Sequence, residues 1–355
     1  MNAGKLFAAF FFLLPVVEFI FSKKAGKPIQ ISFCRLIVCL ALALCDWSYL
    51  QRDRRSIARH WCHPRVDSMQ FDTLSRVLTS ESGFMVKELA LKAAAAPAGI
   101  DLKTTMMTMC ANVFTHYMCS TRFRYDDKEF GKVVRLFDQI FWDINQGYAV
   151  DFLPWLMPVY RRHMQQLKSW GTDIRQFIVK TIIEEHRSVM DVNSPRDFTD
   201  VLLSQLGSEK THQDGDHDDG AQQLDWNHVL YELEDFLGGH SAIGNLLMRA
   251  VGELCSSPHV MANIQEEIRK VTGDNSRPVV LEDRPNMPYT EATILETLRL
   301  SSSPIVPHVA MQNTSVAGKF PFLFIYFFFK SQIRLATNHF LLVRKSNGSR
   351  FVFLP

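Results

Sequence analysis

Two side chains able to hold and pass a proton, His240 and Ser241, stand side by side in the stretch FLGGHSAIGN, residues 236–245. Imidazole and hydroxyl groups both donate and accept hydrogen bonds, so the pair suits proton transfer. Gly238 and Gly239 precede it, inside an apolar segment of helical period. Each mid-helix glycine costs about 1 kcal/mol relative to alanine. Such a cost is met where a backbone must approach something closely or where the helix opens locally. The plainer reading is that His240 and Ser241 only line a pocket.

Three other groups of residues carry chemical potential. Glu296 and Arg299 form ExxR within MPYTEATILETLRL. On a helix they share a face, and as a surface pair they are worth roughly 0.2–0.5 kcal/mol. The pattern alone is weak, since chance places one in a chain of this size. Asp214, Asp216 and Asp218 resemble the start of a calcium loop. Asp219 stands where that loop needs glycine and no glutamate closes it, so a solvated loop over residues 207–223 is the better reading. The seven cysteines, Cys34, Cys39, Cys45, Cys62, Cys110, Cys119 and Cys255, are odd in number and never spaced as CxxC. They exclude a disulfide framework and a zinc site and suit free thiols in a reducing compartment. No metal ligand set is expected.

These residues need elements to position them, and the middle of the chain reads as helix. DKEFGKVVRLFDQIFWDINQG places Phe130, Val133, Val134, Phe137 and Phe141 at helical spacing. A long helix follows the two prolines of PWLMPVYRR, with Ile174, Phe177, Ile178, Ile182 and Ile183 inward. SPRDFTDVLLSQL reads as a short helix capped by Ser194 before Pro195. The longest helix starts near Asp225 or Asn227 and can run to Cys255, apolar over much of its circumference and therefore central. A helix capped at Ser257 and ended by Gly273 comes next, then the shorter ExxR helix, then extended chain in SSSPIVPHVAMQNTSVAG.

The 355 residues allow one large domain or two ordinary ones, and 47% hydrophobic residues supply a core. A formal charge of +2 gives no footprint for nucleic acid. The basic run RDRRSIARHWCHPR is a solvated helix face or, more sharply, a site for an anionic group. LFAAFFFLLPVVEFIF near the N-terminus holds Pro15 and Glu18 and is shorter than a spanning helix needs, so it is a signal-like segment or a weak anchor. FPFLFIYFFF, residues 320–329, lacks either period and would aggregate if exposed.

The order of these elements resembles the cytochrome P450 family of haem-thiolate monooxygenases. LEDRPNMPYTEATILETLRL is similar to that family's segment around its ExxR helix, PRDFTDVLL to the stretch before its long helix, and ALCDWSYLQRDRR to its haem-propionate helix. The resemblance covers about residues 42–319. It implies that Glu296 and Arg299 anchor the meander beneath the haem-ligand loop. It places Trp47 near a propionate. Arg52 stands in for an arginine whose usual position holds Gln51. His308, in PIVPHVA, faces a propionate or is a strand-end histidine without a ligand. Gly238, Gly239, His240 and Ser241 become the oxygen-side wall of the haem pocket, the glycines admitting the macrocycle. Ser241 occupies the place of the family's acid and Ala242 that of its threonine, so the usual proton-delivering pair is missing. GGHSAIGN most resembles the insect ecdysteroid-pathway branch known as spook. The resemblance implies haem, a sterol-like substrate, an NADPH-dependent reductase, and the cytosolic face of the endoplasmic reticulum membrane.

The departures are as informative. No cysteine follows Cys255, and neither FxxGxxxC nor a PERF-like segment occurs. The expected fold is therefore mainly α, an incomplete cytochrome P450 fold without its N-terminal sheet region and C-terminal haem-ligand loop. Residues 1–41 and the aromatic-rich residues 320–355 lie outside the family pattern. The expectation is an incomplete or misassembled product, or a shortened isoform. It would be inactive without its thiolate and at most a helical, membrane-associated interaction module.

Overall fold

Apolar residues at 3.6-residue spacing form helices throughout the computed structural model. It describes residues 49–301 apart from 97–98, 145, 147, 149, 151–155, 192 and 207–223. The N-terminal apolar run, the acidic loop, the extended chain after the ExxR helix and the aromatic block all lie outside the described residues. The helices are α1 (Tyr49–Cys62), α2 (Met69–Ala95), α3 (Leu102–Cys119), α4 (Lys128–Ile144), α5 (Arg161–Ile178), α6 (Glu184–Val189), α7 (Phe198–Ser204), α8 (Trp226–Ser256), α9 (Pro258–Thr272) and α10 (Pro288–Ser301). A π turn, Val179–Ile183, joins α5 to α6, and a 3₁₀ turn, Leu281–Asn286, precedes α10. Among the described residues no strand occurs, so the fold is mainly α.

The chain divides into two units. The first gathers the described residues of 49–71, 115–121 and 148–237. Its core is aliphatic, with Ile174, Ile178, Ile182, Ile183, Leu202, Val229 and Leu233 buried. Edge-to-face rings seal it: Phe198 lies 5.1 Å from Phe236, and Trp61 lies 5.7 Å from Tyr117. The long helix expected through residues 161–189 is interrupted by the π turn, which feeds both Ile182 and Ile183 into the core. α7 starts later than Ser194-Pro195 suggested. Its N-cap is Asp197, whose carboxylate accepts the Asp200 amide at 2.9 Å, and a carboxylate in that place outcompetes the earlier hydroxyl.

The second unit gathers the described residues of 72–114, 122–147 and 238–301. Met106, Met107, Cys110, Phe130, Val133, Val134 and Phe137 are buried, and Phe123 stacks on Phe130 at 4.2 Å. Asn112 ties the loop before α4 in place. Its amide donates to the Phe123 carbonyl at 3.0 Å and its oxygen accepts the Phe123 amide at 2.9 Å. α9 begins with Ser257 at the N-cap, although that side chain makes no capping bond, and ends at Gly273, whose φ of +62° favours glycine.

Candidate functional site

The residues singled out by type fall into three places. The first is the middle of α8, which stays α-helical through the glycine pair. The local opening expected there does not occur. The glycines are explained by neighbouring side chains in the second unit. A Cβ on Gly238 would sit 3.2 Å from the Phe137 ring, and one on Gly239 would sit 3.2 Å from the Phe114 ring. Small residues here let phenyl rings press on the helix backbone, and the macrocycle is not needed to account for them.

His240 and Ser241 are both buried. The imidazole meets Phe137 edge to face, with centroids 5.4 Å apart. Ser241 Oγ lies 3.4 Å from His240 Nε2, at the outer limit of a hydrogen bond. One turn on, Asn245 donates to the Ser241 carbonyl at 2.8 Å and to Asp138 at 2.7 Å. Lys103 pairs with the other Asp138 oxygen at 2.7 Å. A polar chain therefore runs from half-exposed Lys103 on α3, through Asp138 on α4, to the backbone beside the His240–Ser241 pair. Asp138 and Asn245 were not foreseen. The only trace was Asn245 four residues beyond Ser241, on the same helix face.

The second place is α10. Arg299 Nε and one terminal nitrogen bind the two Glu296 oxygens at 2.7 and 2.6 Å. The pair is forked but at the surface, with the two side chains 67% and 54% exposed. The value of such an exposed pair is small. Ile294, Leu295 and Leu298 on the same helix are also exposed. Glu267, from α9, holds the start of α10. It accepts the amides of Tyr289 and Thr290, each at 2.8 Å, and the Thr290 hydroxyl at 2.6 Å.

The third place is α1. Trp47 and His308 lie outside the described residues, and Arg52 belongs to the α1 backbone with its side chain undescribed. The basic run is not wholly a solvated face. Arg54 is 1% exposed and donates to Glu232, which is 0% exposed, at 2.7 Å, and to the His228 carbonyl at 3.1 Å. Glu232 Oε1 is buried with no hydrogen-bond partner. Burial pushes the Glu232 carboxyl up to about 7; Arg54 opposes that rise and Asp235 adds to it. The anionic partner of the basic run is thus inside the protein. Sequence reading missed Glu232 because it stands between Leu230 and Leu233 on a helix read only for its apolar face.

The sequence profile of the cytochrome P450 family matches residues 48–324. The chain belongs to the cytochrome P450 family. It is 43% identical over 279 residues to cytochrome P450 307a1 of Drosophila melanogaster, covering 78% of this chain and 49% of that one. Steroid 17-alpha-hydroxylase/17,20 lyase of Oryzias latipes is 28% identical over 248 residues, covering 69% and 46%. A zebrafish cytochrome P450 solved with progesterone superposes with a TM-score of 0.65 at 26% identity, covering 83% of this chain and 65% of that one. The chain spans about half the length of these sequence relatives.

The family implies a haem held by a thiolate, and the described residues can be tested against it. Cys110 and Cys119 are buried, and burial pushes both thiols up to about 12, so in this fold both are protonated. Cys62 and Cys255 are exposed at the C-terminal ends of α1 and α8. An added Cβ on Gly238 or Gly239 would meet a phenyl ring. None of these four cysteines stands in the FxxGxxxC setting expected of the family's haem ligand.

Proposed function

We propose that this chain is the central helical part of a haem-dependent monooxygenase of the insect ecdysteroid-biosynthesis type. The parent enzyme oxidises a sterol-like substrate with dioxygen and electrons from an NADPH-dependent reductase at the cytosolic face of the endoplasmic reticulum. One observation carries the reading: the 43% identity to an insect cytochrome P450, far above that to the fish steroid hydroxylase. The GGHSAIGN string and the fish relatives named for steroid chemistry or solved with a steroid support the same substrate class. In that enzyme Glu296 and Arg299 belong to the support of the haem-ligand loop. Trp47, Arg52 and His308 belong to the propionate side. Gly238, Gly239, His240 and Ser241 form the pocket wall, His240 and Ser241 being the groups able to hold or move a proton there. Membrane attachment rests on the first apolar run. Among the described residues no helix is long and apolar enough to cross a membrane.

A chimera tests this reading. Residues 48–301 of this chain replace the matching segment of the Drosophila relative, and the product is loaded with haem. NADPH- and O2-dependent oxidation of sterols is expected. A folded, haem-loaded chimera that oxidises fatty acids and leaves sterols untouched refutes the substrate class.

A second reading concerns the chain as it stands. Without a thiolate it is catalytically silent and serves at most as a helical interaction module, its exposed Ile294, Leu295 and Leu298 providing the surface. Haem added to the chain, reduced and exposed to carbon monoxide, should not give the Soret band of a thiolate complex. Appearance of that band overturns the silence.

A further inference from the structure

We propose that His186 is a buried proton-binding site, held as an imidazolium, whose proton ties the end of the π turn to the start of α7. The side chain is buried, with Nδ1 2.7 Å from the Ile182 carbonyl oxygen and Nε2 2.9 Å from Asp197 Oδ2. A carbonyl oxygen only accepts, so Nδ1 carries a hydrogen. Between an ordinary histidine and an ordinary aspartic acid, separated by roughly 2.6 pH units in acidity, a shared proton rests on the ring. Nε2 therefore carries the second hydrogen and donates it to the Asp197 carboxylate. A ring that donates from both nitrogens is the cation.

The surroundings balance that charge. Asp197 faces the ring directly, and Asp200 presents an oxygen within the same 4.8 Å cluster. Arg196 neutralises Asp200: Nε donates at 2.8 Å, a terminal nitrogen at 3.2 Å and the backbone amide at 3.1 Å. Two carboxylates thus meet two cations. Among the described residues, Cys119, a protonated thiol at about 12, lies near Asp197, and Glu185 acts on Arg196. Burial works against the imidazolium. The bond and charge of Asp197, the Ile182 carbonyl and the charge of Asp200 outweigh it and hold the ring above its usual 6.5.

His186, Asp197 and Asp200 are also the types that ligate a divalent cation. Here every carboxylate oxygen is engaged. Asp197 Oδ1 accepts the Asp200 amide at 2.9 Å, Oδ2 accepts His186, and Arg196 takes both oxygens of Asp200. A metal would have to displace both the guanidinium and the ring proton, so the proton is the cation that fits. Asp197 is also the N-cap of α7. Removing the proton leaves Nε2 and a carboxylate oxygen lone pair to lone pair in buried space. Loss of the proton therefore loosens the cap as well as the ring.

The test uses the intact chain with 15N-labelled histidine, followed by NMR from pH 5 to 9, with His186→Gln assigning the signals. Both His186 ring nitrogens should show imidazolium shifts at pH 6.5. The midpoint should lie above 6.5, and hydrogen-exchange protection of the Asp200 amide should fall as the ring titrates. One unprotonated ring nitrogen at pH 6, or Asp200 protection indifferent to the titration, overturns the proposal. Added Mg2+ or Zn2+ should leave the melting temperature of the wild-type chain unchanged. A rise of several degrees that His186→Gln abolishes overturns it in favour of a metal site.

Discussion

Glu232→Gln should make the stability of this chain depend less on pH, and the size of the effect follows from the Arg54–Glu232 pair. Glu232 is fully buried, makes one charged contact and leaves its second oxygen without a partner. Its carboxyl titrates at about 7 in the fold against an ordinary 4.5. The folded state therefore holds the proton more tightly than the unfolded chain does, and stability must fall as pH rises between those values. At 1.36 kcal/mol per pH unit, the fall is on the order of 3 kcal/mol, complete just above neutrality. Glutamine keeps the shape and one acceptor without the charge, so the variant lacks this fall. Urea denaturation followed by circular dichroism, run on both chains from pH 4.5 to 8, reads the difference. With a urea slope of about 3 kcal/mol/M, the midpoint of the variant should gain about 1 M on wild type across that range. Arg54→Met should raise the Glu232 value further and carry the fall of the wild-type curve to more alkaline pH. If the gap between wild type and Glu232→Gln stays constant from pH 4.5 to 8, Glu232 is ionised throughout and the reasoning from its desolvation fails.

The glycines of α8 should separate by what surrounds them. Gly244→Ala brings a Cβ into the Met107 sulfur, and overpacking of about 1–3 kcal/mol, set against about 1 kcal/mol of helix propensity, leaves a net cost of up to about 2 kcal/mol, whereas Gly252→Ala meets nothing within 4 Å and should gain about 1 kcal/mol from helix propensity. Thermal melts of the two variants should move in opposite directions. Glu267→Ala removes three hydrogen bonds from the start of α10, costs about 1 kcal/mol and should speed amide exchange at Tyr289 and Thr290 first. Burial raises the Glu267 carboxyl, but those bonds and the Lys270 charge outweigh it and hold the group low, so its contribution is present above pH 4.5 and lost as the pH falls through its folded value.

Local signals were legible where one helix turn decides the outcome. The spacing of Phe130, Val133, Val134 and Phe137 predicted α4, and Gly273 marked the end of α9. The ExxR spacing predicted the Glu296–Arg299 pair, because residues three apart on a helix meet whatever the rest of the chain does. The α7 cap was misplaced because Ser194-Pro195 and Asp197 are competing local signals. The packed corner, in which Asp197 also accepts from His186, favours the second.

By itself the sequence determined the helices from residue 128 onward in outline, their order and the family to which they belong, because periodicity and motif spacing are properties of neighbouring residues; α2 and α3 were not read from it. It also showed that no cysteine follows the ExxR helix. Tertiary structure alone decided what the buried polar groups face. Arg54 and Glu232 are 178 residues apart along the chain and 2.7 Å apart in the fold. The rings that fill the Gly238 and Gly239 faces come from α4 and α3. A charge or a glycine has an energetic meaning only once its neighbours and its distance from water are known, and packing is what sets both.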